Sequence, residues 1–273
     1  MDLAANDERS RLIDSAAQEL FRQHQERQRF SALPAPWHLD DAGTAYAIQE
    51  RFVQRLEGFR RTRTCGFKIA LTTPAMRQMV GYHDSISGHL LEDQVIPSGS
   101  RVRAGDYGRL LVEFEIAFRM GADLPVGVAP WTRQSIFPHV ASASPALELA
   151  DDRHADYTAI AGSILTLAAD NAWNQGLVLG EPVSAFTPES LQAAAGIAFI
   201  DGAEVGRGTG ADVLGHPLDA LAWLANHLQD RGQRLLAGHL VTTGSLVTSK
   251  FPQAGSTVEF HVDGLGKVTL RVE

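Results

Sequence analysis

The sequence predicts an α+β fold, in which a β-rich core carries a helical N-terminal segment laid against it. Three observations predict it. Apolar residues recur at helical spacing through the first sixty residues, and a two-residue period takes over after about residue 90. Strands and helices do not alternate regularly afterwards, which argues against a doubly wound parallel sheet.

The helical segment reads as two stripes. Leu12, Ile13, Ala16, Ala17, Leu20 and Phe21 form the first, and Ala45, Ile48, Phe52, Val53 and Leu56 the second, with Asp40-Asp41 as N-cap candidates. Pro34 and Pro36 make the intervening Ser31–Trp37 an extended linker. A strand is expected over Thr64–Ala70, followed by a helix entered through Thr73-Pro74 and carrying Met76, Met79 and Val80. Further strands are expected at Leu110–Met120, Ser144–Ala150, Leu177–Leu179, Gly196–Ile200, Glu204–Gly206, Leu240–Thr243, Thr257–Val262 and Lys267–Val272. Asp201-Gly202 and Asp263-Gly264 are hairpin turn signals. One helix interrupts, Pro217–Arg231, with Gly232 as its stop. The expected division is a helical segment over residues 1–63 and a β-rich catalytic domain over 64–273.

The strand Leu111–Phe118 carries the most chemistry. Val112, Phe114, Ile116 and Phe118 share one face, and Glu113 and Glu115 the other. Two carboxylates two residues apart project in parallel, roughly 6.5–7 Å apart. They can grip a hard cation if a third oxygen ligand arrives, and Glu148, in the run Ala146–Ala150, is the candidate. The alternative is a half-buried strand with a wet polar face. Lys68 lies alone within the apolar strand Gly66–Leu71 and either snorkels to solvent or turns inward to a carboxylate. Buried near a metal, its pKa is expected to fall, making it a proton carrier or oxyanion partner.

Composition narrows the function classes. The chain has 273 residues, 44% hydrophobic and 21% charged, as in ordinary globular proteins. A formal net charge of −8 and the lack of a basic run argue against nucleic acid as a partner. The one cysteine, Cys65, forbids an intrachain disulfide and fits a reducing compartment. The stretch Met1–Arg9 is acidic and lacks the apolar core of a signal peptide. No run approaches the ~20 apolar residues of a membrane span. A cytoplasmic protein is expected. Gly206-Arg207-Gly208-Thr209-Gly210 is not a dinucleotide fingerprint, and neither a Gly-x-Ser-x-Gly elbow nor zinc spacing occurs. Asp170-Asn171 alone reads as a turn or cap, His216 as a helix-cap neighbour, and Thr242–Ser245 as a strand end that could hold an anion.

The ordered set of motifs resembles the 2-keto-4-pentenoate hydratase and 4-oxalocrotonate decarboxylase branch of the fumarylacetoacetate hydrolase superfamily. It comprises Ala45–Gln49, Lys68–Thr72, Val112–Phe118 with Asp123-Leu124-Pro125, and Pro145–Leu149 with Arg153. Ala169–Ala172, Leu214–Pro217 with Ala222–Ala225, Thr243-Gly244-Ser245 and Gly264-Leu265-Gly266 complete it. The resemblance implies a mixed β-sandwich or β-roll core and a homo-oligomer. It implies Mg2+ or Mn2+ on Glu113, Glu115 and Glu148, and a small 2-oxo or 2-hydroxy-dienoic acid as substrate. Lys68 matches the family's active-site lysine, while Leu71, Thr72, Asp170, Asn171 and Ser245 fall in motifs that border the substrate. The implied reaction is hydration of a 2-hydroxy-2,4-dienoate to a 4-hydroxy-2-oxo acid. The alternatives are decarboxylation of a 4-oxalocrotonate-type diacid, acylpyruvate-type C–C hydrolysis, or a non-catalytic keto-acid binder or partner subunit.

Two departures stand out. Relatives place an acid two residues after the glycine in a Gly-x-Asp-x-Pro pattern, whereas this chain reads Gly81-Tyr82-His83-Asp84-Ser85. His83 or Asp84 then becomes the candidate acid–base residue. Leu246–Phe251 replaces a Gly-Pro turn, and Lys250 there is either a partner for a second carboxylate or an exposed loop lysine.

Overall fold

Two sheets share one apolar core in this computed structural model, which describes residues 3–127 and 130–273; Met1 and Asp2, the start of the acidic N-terminal stretch, lie outside the described residues. The strands are β1 (Thr64–Ala70), β2 (Ile86–Leu91), β3 (Val95–Pro97), β4 (Ser100–Val102), β5 (Leu110–Met120), β6 (Val140–Asp151), β7 (Asn174–Leu179), β8 (Ala195–Ile200), β9 (Ala203–Thr209), β10 (Leu240–Lys250), β11 (Thr257–Val262) and β12 (Gly266–Val272). Seven form a sheet in the order β2-β1-β10-β5-β6-β7-β3, and five a second in the order β4-β12-β11-β8-β9. The first is mixed: β1 runs parallel to β10 and β3 to β7, while the other pairs are antiparallel.

The helices are α1 (Leu3–Gln25), α2 (Ala42–Arg60), α3 (Pro74–Val80), α4 (Arg133–Ile136), α5 (Ile164–Ala169), α6 (Pro188–Ala193) and α7 (Pro217–Gln229). Their ends follow local chemistry. Asp41 accepts a hydrogen bond from the Thr44 amide to open α2, and Thr73 accepts from the Met76 amide to open α3. His216 caps α7 by accepting from the Leu218 amide, with Pro217 at the first helical position.

The two faces of the seven-stranded sheet have different coverings. Val112, Phe114, Ile116 and Phe118 of β5 pack with Val258, Phe260 and Leu270 of the second sheet and with Leu221 and Leu224 of α7. That inter-sheet layer is the larger core. On the opposite face, Ala16, Leu20, Ile48 and Phe52 of the N-terminal helices form a second core with Leu111, Ile164, Leu167 and Trp173. Both helical stripes therefore bury their apolar sides as the periodicity predicts. The face of β5 that bears the glutamates is roofed, not wet.

The strand limits differ from expectation where the local pattern is ambiguous. β2 is buried along its whole length; its alternation is short, Ser87 and His89 against Ile86 and Leu90, with Gly88 at its centre weakening the strand signal. β10 does not end at Thr243 but continues to Lys250, with register shifts against β5 on both sides of Ser245. Gly244 makes that passage possible. Its φ is +106°, and a Cβ there would lie 2.2 Å from Thr72 Oγ1.

Candidate metal and active site

Five adjacent strands each contribute one part of a buried polar cluster. Lys68 comes from β1, Gly244 and Ser249 from β10, Glu113 and Glu115 from β5, Glu148 from β6, and Asn174 from β7. Glu113 stands directly opposite Glu148 in the β5–β6 register, and Lys68 opposite Thr242 in the β1–β10 register. Carboxylate oxygens of Glu113, Glu115 and Glu148 lie within 4.8 Å of one another. Glu115 and Glu148 are fully buried, and Glu113 is half-buried at the mouth.

Each acid is held from outside the cluster. The Gly244 amide donates to Glu115 Oε2 at 2.7 Å, Asn174 Nδ2 donates to Glu148 Oε1 at 2.9 Å, and Ser249 Oγ donates to Glu113 Oε1 at 2.9 Å. Lys68 Nζ lies 3.2 Å from Glu148 Oε1 and donates to the Ala172 carbonyl at 3.4 Å.

One ammonium does not balance three carboxylates. Burial pushes the Glu115 carboxyl well above its ordinary range, and repulsion from Glu148 and Glu113 adds to this. Burial also raises Glu148, against the opposing pull of Lys68. Burial alone would lower Lys68, but attraction from Glu148, Glu113 and Glu115 outweighs it, and its pKa rises. Facing carboxylates alone at contact distance the lysine rises, whereas the expected fall concerns the cluster with a cation among those carboxylates.

The donor set fits a hard divalent cation. Glu115 Oε1 and Glu148 Oε2 are buried without a hydrogen-bond partner, a costly state for oxygens with negative charge. A dication between them would satisfy both oxygens and offset the excess charge, and all three ligands are oxygens as magnesium and manganese prefer.

Two cavities meet at Glu113. One, of about 400 Å³, is the more polar, its mixed lining including Thr72, Thr73, Arg207, Asp212 and Ser245 beside Ile69, Leu71 and Val247. The other, of about 320 Å³, is lined by Lys68 and mostly by apolar side chains, among them Leu111, Leu167, Trp173 and Phe251.

The remaining candidates divide between those two cavities and the scaffold. Leu71 lines both cavities, and Thr72 and Ser245 line the polar one. The Ser245 hydroxyl is already engaged, accepting from the Phe114 amide at 2.8 Å and donating to the Val247 carbonyl at 2.7 Å. Asp170 and Asn171 do not line either cavity. Asp170 is ion-paired to Arg153 and lies 2.5 Å from His24, while Asn171 brackets the backbone of His89, accepting at 2.6 Å and donating at 3.0 Å. Their position corrects the expectation of substrate contact: they brace the turn behind the site. That turn runs through three left-handed residues, Asn171, Ala172 and Trp173, with φ of 54°, 48° and 62°. It delivers the Ala172 carbonyl to Lys68 and the Trp173 ring to the cavity wall.

Nor are His83 and Asp84 brought to the carboxylates. His83 is exposed, and the Asp84 carboxylate accepts from Trp223 Nε1 at 2.9 Å and from the Ser85 amide at 2.8 Å. Neither His83 nor Asp84 lines either cavity; both follow the left-handed Gly81 that closes α3. Lys250 lines neither cavity. Sequence reasoning did not name Asn174 or Trp173 as site residues; Ser249 and Phe251 lie in the Leu246–Phe251 segment, which borders the pocket in relatives, but were not singled out within it. Asn174 was detectable as a polar residue at the head of an apolar strand.

Comparison with known proteins bears on the family and the fold. Residues 80–273 match the family described as fumarylacetoacetate (FAA) hydrolase C-terminal. A 2-keto-4-pentenoate hydratase of Burkholderia vietnamiensis is 33% identical over 228 residues, which cover 84% of this chain and 85% of that protein. A 4-oxalocrotonate decarboxylase of a Pseudomonas species is 31% identical over 235 residues, covering 84% and 88%. The solved structure of the 4-oxalocrotonate decarboxylase from Pseudomonas putida G7, complexed with magnesium and adipate, superposes with a TM-score of 0.86 at 24% identity, over 96% of this chain and 97% of that one. This last likeness establishes the fold. With a family match across most of the sheet-forming region, and relatives aligned along most of their length, the chain belongs to the fumarylacetoacetate hydrolase family.

Proposed function

We propose that the protein is a metal-dependent hydratase that adds water to a 2-hydroxy-2,4-dienoate, giving a 4-hydroxy-2-oxo acid. The observation that carries this reading is the buried set Glu113, Glu115 and Glu148 with Lys68 against Glu148, opening onto cavities at Glu113. Alignment to curated 2-keto-4-pentenoate hydratases supports the choice of reaction. The three glutamates would hold magnesium or manganese, which supplies positive charge where a 2-oxo acid gathers negative charge at its C2 oxygen.

The chain's own residues do the rest. Glu148 and the Ala172 carbonyl fix Lys68 Nζ in place. Held against the Glu148 carboxylate, Lys68 presents its N–H groups and acts as a donor. The dienol first loses its 2-hydroxyl proton and takes a proton at C5, giving the 2-oxo-3-alkenoate. Water oxygen then bonds to C4, its proton leaves, and C3 takes a proton. The Lys68 N–H is placed to stabilise charge at the C2 oxygen in both steps. Gly244, Asn174 and Ser249 keep the three carboxylates from rotating away. His83 and Asp84, off both cavities, are given no chemical step. Residues 64–273 carry the chemistry, and the helices of residues 1–63 roof the carboxylate face. The reading includes a homo-oligomer in the cytoplasm, and no described helix is long and apolar enough to cross a membrane.

A second reading, decarboxylation of a 2-oxo diacid, is favoured by the alignment to 4-oxalocrotonate decarboxylases. The deciding experiment supplies 2-hydroxypenta-2,4-dienoate and the 4-oxalocrotonate diacid to the magnesium-loaded protein and its Glu115→Gln variant. Formation of 4-hydroxy-2-oxopentanoate by the wild type alone supports the hydratase. Release of CO2 from the diacid, with the dienoate untouched, replaces it with the decarboxylase.

A further inference from the structure

The cavity beside Lys68 is asymmetric in its chemistry. At one end stand Lys68 and Glu113, and the rest of its wall is built largely from Met76, Met79, Leu111, Leu167, Trp173 and Phe251. Lys68 is the only cation among the described lining residues, and it belongs to the reacting end. Two other cations come close in sequence or space and neither serves this wall. Lys250 does not line it. Arg109 places its guanidinium 4.8 Å from the centre of the Phe251 ring, but it is ion-paired to Asp152, with Nε 2.8 Å from Oδ1. Tyr157, also on the wall, commits its hydroxyl to the same Asp152 at 2.9 Å.

The surface around the opening is unusually apolar as well. Met76, Met79, Tyr157 and Phe251 are all among the large hydrophobic side chains that the described surface exposes, and all four line this cavity. Side chains of this kind on a surface mark a binding site when they gather around one opening. Here the opening is continuous with the carboxylate cluster through Glu113.

We propose that this arm takes the tail of the substrate, that the tail is a hydrocarbon chain extending beyond C5 of the dienoate, and that a terminal carboxylate is excluded. The inference rests on the function proposed above, since it uses the carboxylate cluster and Lys68 to fix the 2-oxo acid head. A methylene moved from water into this wall is worth about fourfold in affinity. A carboxylate moved to the same place would give up part of its hydration and meet no uncommitted cation, with only the hydroxyls of Thr248 and Ser249 beside it. The volume of about 320 Å³ lies within the range of small-ligand sites and leaves room for several carbons beyond the head.

The test is calorimetric binding of saturated 2-oxo acids to the full chain at saturating magnesium: 2-oxobutanoate, 2-oxohexanoate, 2-oxooctanoate and 2-oxoadipate. Affinity is expected to rise by about two orders of magnitude from 2-oxobutanoate to 2-oxooctanoate, four methylenes longer, with 2-oxoadipate at least tenfold weaker than 2-oxohexanoate. Met79→Arg, at an exposed position, is expected to narrow that last gap. Affinity independent of chain length would overturn the inference, because the tail then does not enter the apolar arm. Equal binding of 2-oxoadipate and 2-oxohexanoate would also overturn it, sending the tail towards Arg207 in the polar cavity. An unchanged gap in Met79→Arg would remove the tail from the wall that Met79 forms and overturn the assignment of this arm. In these three outcomes the head still binds and the proposed function stands. Failure of every 2-oxo acid to bind would overturn the function and this inference together.

Discussion

Lys68 Nζ sits 3.2 Å from Glu148 Oε1 although both side chains are buried, and the two reach each other from strands β1 and β6, which are separated in the sheet by β10 and β5. An ion pair in that position costs desolvation on both sides, and removing one partner leaves the other's charge buried. Lys68→Met keeps most of the volume and removes the ammonium. Turnover of the dienoate is expected to fall by about 10² to 10⁴, the range for a lost proton-handling group. Magnesium affinity, read by calorimetry, is expected not to fall, because a positive charge beside the ligands has gone. A parallel loss of metal binding would make Lys68 a structural support of the cluster and remove its proposed role as donor.

Glu115 is the acid whose isolation is most costly, being fully buried with one orphan oxygen and a pKa pushed well up. Glu115→Gln removes one negative charge and one cation ligand together. Without metal, the variant is expected to unfold at a temperature equal to or above that of wild type, since the repulsion from Glu148 and Glu113 is relieved. With magnesium at about 100 times the wild-type Kd, wild type gains about 2.7 kcal/mol and the variant far less. Thermal unfolding of both proteins with and without magnesium reads the two effects separately. A variant stabilised by magnesium as much as wild type would eliminate Glu115 as a ligand.

The legible parts of this site were those written along one strand. Glu113 and Glu115 show their spacing and shared face in eight residues, because a strand has a fixed period. Glu148 could be nominated from its aliphatic run, but its place opposite Glu113 depends on the β5–β6 register, which spans a connection of many residues. Ser249 was hidden for the same reason: its placement needs β10 to continue through Gly244, and a glycine at a strand end ordinarily reads as a stop. The fold class was legible from periodicity, yet β2 was not, because its short alternation of Ser87 and His89 is centred on Gly88, a poor strand former. Asp170 and Asn171 were recognisable as a motif, but their braced, left-handed turn is a tertiary property. Only Arg153, His24 and the His89 backbone reveal what they do.

That turn makes its own prediction. Asn171 has φ of 54°, a region asparagine tolerates better than most residues, and its side chain forms two hydrogen bonds to the buried His89 backbone. Asn171→Ala loses both bonds and places a residue less suited to the left-handed region. The expected cost is roughly 2–4 kcal/mol, from two buried backbone groups left unpaired and the added backbone strain. Urea unfolding measures it. Because the neighbouring Ala172 carbonyl holds Lys68, kcat is expected to drop severalfold while KM changes little. Asn171→Gly, which relieves the strain but not the lost bonds, should recover part of the stability and none of the hydrogen bonding. Full stability in Asn171→Ala would mean that the turn is held by Arg153 and Asp170 alone.

Stability should also fall in mild acid, and one histidine carries the sign. Burial pushes the pKa of His89 down to about 4, with the charges of Arg231 and His239 acting in the same direction. In the unfolded chain the imidazole titrates near 6.5. The folded pKa is therefore the lower one, so between these values the unfolded chain binds a proton that the folded chain refuses. The contribution of His89 is complete above pH 6.5 and is lost as pH falls towards 4, by about 2 kcal/mol at pH 5. His227, lowered to about 4 chiefly by burial and then by Arg231, adds a loss of the same sign, reduced by its partial exposure. Asp170, whose pKa lies below its ordinary value, despite burial, because of the charges of Arg153 and His24, titrates beneath this window and does not offset it. The measurement is urea unfolding at pH 7.5, 6 and 5 with magnesium saturating, so that the contribution of the carboxylate cluster is common to wild type and variant. His89→Gln keeps a polar side chain beside Thr64 and is expected to flatten the slope between pH 6.5 and 5 by about one proton's worth. An unchanged slope in that variant would show that His89 takes up its proton in the folded protein as readily as in the unfolded chain.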